Sequence, residues 1–133
     1  MTNSSVIVIM TDGQTEEARQ MNQKFEQEVI KRLRAEGKTV YTCFEAGELD
    51  EALRKSKRVM AVMVLCLREM RGMNIRLLDY FLLNSHLANT PVWRTELISG
   101  TVMHGLLRRS GDYHFDVARR TPANEFCCQQ IAG

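Results

Sequence analysis

Residues 59–67 read VMAVMVLCL, nine apolar positions in a row with no charge among them. A helix needs about twenty such residues to cross a bilayer, so this run does not span one. It has no polar face either, so it suits a β-strand covered on both sides. Val6-Ile7-Val8-Ile9-Met10 is a shorter run of the same kind, rich in β-branched residues, and it stops at Thr11-Asp12-Gly13. Strands buried on both faces belong to parallel sheets, whose crossover helices supply the cover.

The segments between and after these runs fit that arrangement. Ala18, Met21, Phe25, Val29 and Leu33 recur at three- and four-residue steps with charges between them, which predicts an amphipathic helix. Thr15 is placed to cap it, Glu16 and Glu17 suit its first turn, and Gly37 suits its end. Residues 38–44 read as a second strand. Residues 48–56 read as a short helix with Leu49, Ala52 and Leu53 facing inward. A further helix carries Leu77, Leu78, Phe81 and Leu82. Residues 91–95 form a fourth strand, 100–109 a weaker helix and 113–117 a fifth strand. A last helix after Pro122 carries Phe126 and Ile131. The expected architecture is one α/β domain over residues 1–133, a five-stranded parallel sheet with helices on both faces. Right-handed crossovers would gather the loops after the first, third and fourth strands at one edge, where any chemistry would sit.

Composition narrows the function classes. A chain of 133 residues suits one compact domain that needs no staples. Formal net charge is only +2, which demands no nucleic-acid partner. Cys43 and Cys66 fall in apolar runs and read as small core residues, and Cys127 and Cys128 are adjacent, a poor arrangement for a structural disulfide. The sequence has no Cys-x-x-Cys pair, and its histidines do not cluster with its cysteines, so no zinc site is expected. No signal-like segment opens the chain, and reduced thiols in a cytoplasmic setting are the expectation.

Several segments resemble a bacterial response-regulator receiver domain. "GKTVYTCFEAGELDEALRKSK" is similar to the family's second strand and helix. "VLCLREMRGMNIRLLDYF" is similar to its third strand and the loop after it, where Met70-Arg71-Gly72-Met73-Asn74 stands in for a Met-Pro-x-Met-Asp-Gly-like run. "NTPVWRTE" resembles the fourth strand, with Thr95 at the family's Thr/Ser position. "GDYHFDVARRTPANEF" resembles the fifth strand and last helix. The resemblance implies a receiver or flavodoxin-like fold. It does not bring the phosphorylation chemistry with it. The acidic pair that would hold magnesium is Thr11-Asp12, and one carboxylate makes a poor magnesium site. The phosphoacceptor position is Cys66 or Leu67, Glu69 lies in the following loop, and Thr121 precedes Pro122 where the family has lysine. A non-phosphorylatable, non-enzymatic pseudo-receiver is therefore expected, without metal or cofactor.

A second resemblance is to the receiver-like wing domain that opens bacterial inducible lysine, ornithine and arginine decarboxylases. It rests on "FEQEVIKRLRAEGKTVYTCFEAGELDEALRKS" and "TPANEFCCQQIAG". It implies an assembly role. The pyridoxal phosphate site of those enzymes lies in later domains, so no decarboxylase activity is implied for these residues.

Two further readings concern ligands and surfaces. In "MTDGQTEEA", Thr11, Asp12, Gly13 and Thr15 precede a helix and could cradle a phosphate, as in a small Rossmann-like domain binding nucleotide or flavin. A Thr/Gly turn between strand and helix is also common without any ligand. With Thr95, these are the candidate ligand-binding residues. The candidate interaction surface is Arg108, Arg109, Arg119 and Arg120 among apolar residues, with Met70 and Met73 as adaptable contacts. A protein partner or a homodimer is the expected use of that surface, with neither nucleic acid nor membrane.

Overall fold

The computed structural model describes residues 4–66, 90–98, 100–109 and 115–122. Strand β1 (Ser4–Ile9) leads into α1 (Glu16–Phe25), a π-helical stretch (Glu26–Ile30) and α2 (Lys31–Ala35), which run on as one helix. Then come β2 (Thr39–Cys43), α3 (Ala46–Lys55), β3 (Arg58–Cys66), β4 (Val92–Ile98), β5 (Thr101–Arg109) and β6 (Phe115–Pro122).

The long helix starts and stops where its sequence says. Thr15 is extended and its hydroxyl accepts the Ala18 N–H at 3.0 Å. Gly37 has φ 86°, the left-handed conformation that closes a helix. The Lys38 N–H then bonds the Leu33 carbonyl and the Gly37 N–H bonds the Arg34 carbonyl, both at 3.0 Å. The π stretch has a cause in the spacing. Met21, Phe25, Val29 and Leu33 are four apart, more than a turn of 3.6, so a pure α-helix would swing the stripe by about 120° over twelve residues. One wider-wound stretch absorbs the excess. Met21, Phe25, Val29, Ile30 and Leu33 all stay buried against the sheet. In α3, Glu48 reaches back so that its Oε1 accepts the Glu45 N–H at 3.2 Å, half of a capping box.

The strands form one six-stranded sheet in the order β2-β1-β3-β4-β5-β6. Strands β1 to β4 pair in parallel. Each β1 residue from Val6 to Ile9 is fully buried, which explains the unbroken apolar run. Val6, Val8, Ala61, Met63 and Leu65 pack under the long helix. Ile7, Ile9, Val62 and Val64 pack with Leu49 and Ala52 of α3 on the other face. The expected α/β class with helices on both faces is therefore present.

The expectation of an all-parallel sheet fails at β4. Strand β5 runs antiparallel to β4, from Ile98↔Thr101 to Trp93↔Leu106, and β6 runs antiparallel to β5. Residues 100–109, expected as a helix, are β5. Gly100 has φ 79° and closes a tight reversal directly after β4. The β-branched pair Thr101-Val102 follows the turn, and Gly105 disfavours a helix at mid-segment. Strand β6 also extends past the expected 113–117. The expected helix of Leu77 to Leu82 and the helix after Pro122 lie outside the described residues.

Candidate functional site

The order β2-β1-β3-β4 puts the carboxyl ends of β1 and β3 side by side, with α1 and α3 on opposite faces. Open α/β sheets bind ligands at a switch point of this kind. The loop after β1 starts there, and a single side chain from the long helix ties the start of that loop. Asn22 Oδ1 accepts the Thr11 N–H at 3.0 Å, and Asn22 Nδ2 donates to the Thr11 carbonyl at 3.3 Å. The carboxamide thus satisfies both backbone groups of Thr11, as a neighbouring strand would. The Thr11 hydroxyl lies 2.8 Å from Asn22 Oδ1 and 3.0 Å from the Ala18 carbonyl, the two acceptors available to its one proton. Thr11 is buried, and its polar atoms face the helix.

The rest of the loop is also internally bonded. Asp12 is exposed, and its Oδ1 accepts the Gln14 N–H at 3.0 Å, a turn typical of aspartate. Gly13 has φ 68°, which glycine adopts without strain, and its carbonyl accepts Arg19 Nη1 at 3.1 Å. Arg19 also pairs with Glu16 at 3.0 Å on the exposed surface. Thr15 is the helix cap. Glu16 and Glu17 occupy the first turn, where their charge competes with any incoming anion. Among the described residues, no three histidine, cysteine or acidic side chains gather as a metal site.

Thr95 lies elsewhere in the network. It is fully buried, and its Oγ1 lies 2.9 Å from Nδ1 of His104, its register partner across the β4–β5 hairpin. The His104 ring meets Phe25 edge-on, with centroids 6.0 Å apart. Burial, and then the charge of Arg32, pull the His104 imidazole down to about 4, so it is neutral near neutrality. The hairpin is tied to the long helix a second time, because Lys24 donates to the Gly100 carbonyl.

Cys66 is the last residue of β3 and stands in register with Glu96. Leu67, Glu69, Met70 and Met73 lie outside the described residues. Arg108 and Arg109 close β5, and Arg119 and Arg120 sit in β6. The structure thus brings Thr11, Asp12, Gly13 and Thr15 together in one loop, places Thr95 under the helix, and sets the four arginines on the two outer strands. Cys43 is buried as expected. Burial, with Glu48 nearby, pushes its thiol up to about 11, which keeps it protonated and unreactive.

Three features were not foreseen from the sequence. Asn22 left one signal: it sits at i+4 from Ala18 on the covered side of a helix, where asparagine is a weak helix former that must find partners. His104 gave none, because its segment reads as helix. The half-buried ion pair of Arg94 and Glu96, 3.0 Å apart, follows from an Arg-x-Glu spacing that puts both on one side of a strand.

No helix among the described residues is long and apolar enough to cross a membrane. No protein-family profile, curated protein or solved structure matches the chain.

Proposed function

We propose that this chain is a receiver-like module that acts by contact with another protein and not by phosphoryl transfer. One observation carries the reading. At the end of β1, where a receiver would present the first of its magnesium-holding acids, the chain has Thr11. Its N–H, carbonyl and hydroxyl are all taken up by Asn22 and Ala18 of the adjoining helix. A carboxylate that binds magnesium must be free to turn its oxygens to the ion, with several more oxygens around it. Here the position is a structural fastening, and Asp12 beside it is spent on a turn. The residue in register with Glu96 at the end of β3 is Cys66, which offers no carboxylate for phosphate.

The test is incubation with acetyl phosphate and magnesium, followed by intact-mass and peptide mass spectrometry. The expected result is an unmodified chain. A phosphoryl adduct on an acidic residue between β1 and β4 would overturn the reading. Sedimentation equilibrium then reports whether a second copy is the protein partner.

A further inference from the structure

The two ends of the sheet differ in ways that point to a kind of partner. Strands β5 and β6 carry four arginines (Arg108, Arg109, Arg119 and Arg120) against one acid, Asp116. The whole chain has 18 basic and 16 acidic residues, so everything outside these two strands holds fourteen basic against fifteen acidic. The net positive charge of the protein therefore resides on its outer antiparallel strands.

The backbone edges differ as well. At the β2 end the edge strand has five residues, and Arg34 Nη2 donates to its Val40 carbonyl at 3.1 Å, so an edge acceptor is already taken. At the other end β6 is eight residues long and, among the described residues, has a strand on one side only. Its register is interrupted once. Gly105 pairs with Arg120 and Leu106 with Ala118, which leaves Arg119 as the extra residue of a bulge. Bulges at sheet edges commonly re-aim a side chain or end a pairing.

We infer that β6 is a docking edge for an extended, acidic segment of a partner protein, which adds as a strand beside the arginine-rich strands β5 and β6. This rests on the protein-contact reading above and names the chemistry of the partner. An edge offers ladder hydrogen bonds to a peptide backbone, and a nucleic-acid backbone has no matching N–H groups. Arginine forks add two-pronged bonds to carboxylates. A second copy of this chain suits the edge poorly, because two β6 strands would each bring Arg119 and Arg120 to the junction.

The experiment titrates a fluorescent glutamate-rich peptide into the full chain and follows anisotropy at low and moderate salt. A lysine-rich peptide and a single-stranded oligonucleotide of equal charge number are run beside it. The wild type should bind the acidic peptide, more weakly as salt rises. R119E/R120E should weaken binding about tenfold or more and gain affinity for the lysine-rich peptide, and R34E at the far edge should leave acidic-peptide binding within about twofold. Circular dichroism and R119Q/R120Q, which removes charge without reversing it, separate lost binding from lost fold. No binding by the wild type, equal binding by the folded R119E/R120E variant, or tighter binding of the oligonucleotide would each overturn the inference. Any of these without a phosphoryl adduct leaves the broader reading standing, whereas an adduct removes that reading whatever the peptide does.

Discussion

The parallel part of the sheet and its antiparallel end are built on different terms. In β1 and β3, both faces are roofed by helices, and apart from Ser5 at the start of β1 the buried positions are aliphatic, methionine or alanine. In β4, β5 and β6 the same sheet carries a buried Thr–His pair, a half-buried Arg–Glu pair and four arginines at its outer strands. A strand roofed on both sides is apolar along most of its length, whereas an antiparallel strand needs only one dry face. One part of the molecule is thus specified by burial, and the other leaves room for charge. Function is proposed for the part with that room.

The largest effect should come from the roof of the parallel part. Phe25 is fully buried between the helix and the sheet, so Phe25→Ala should cost about 3–5 kcal/mol in urea unfolding. A loss below about 1 kcal/mol would mean that the long helix does not hold the sheet as described. Next is acid, which acts on the antiparallel part. The folded value of His104 is about 4 against an ordinary 6.5. As pH falls below the ordinary value, the unfolded chain takes up a proton before the folded one does. Stability present above about pH 6.5 should drain away down to about pH 4 and then level off, by about 3 kcal/mol in all. His104→Gln should remove that share of the pH dependence in denaturant melts at stepped pH, and an unchanged slope would rule it out.

Third comes the fastening between loop and helix. Thr11→Val keeps the shape and deletes the hydroxyl, so that one buried acceptor loses its donor while Asn22 Oδ1 keeps the Thr11 N–H, and should cost about 1–3 kcal/mol. Faster amide exchange confined to the loop after β1 would accompany it, and exchange spread over the whole sheet would contradict the local role. The smallest change lies at the junction of the two parts. Gly100→Ala forces a side chain onto φ 79° and should cost about 1 kcal/mol, read as a lowered thermal midpoint. A neutral result would show that the β4–β5 reversal does not rely on its glycine.

The early elements were legible in the sequence because their signals are local. The apolar runs of β1 and β3, the Thr15 cap, the 18-21-25-29-33 stripe and Gly37 each state their role within a few residues. The candidate loop was legible in position, since Thr11, Asp12, Gly13 and Thr15 do stand together between β1 and α1. Its chemistry was not, because Asn22 lies eleven positions away and meets Thr11 only once the helix has folded back. Thr95 is a candidate ligand position on the sequence. It pairs with His104 nine residues on, and that partnership exists only in the antiparallel register.

By itself, then, the sequence determined which segments had to be buried and where the first helices begin and end, because apolar periodicity and capping act over one or two turns of chain. The direction of β5, the burial of His104 and the closure around Thr11 were decided by tertiary structure alone. Residues 101–109 are weakly patterned and suit either a helix or a strand. The choice fell to the exposed edge of β4, where unpaired backbone groups and the Gly100 turn make a ladder the lower free-energy outcome.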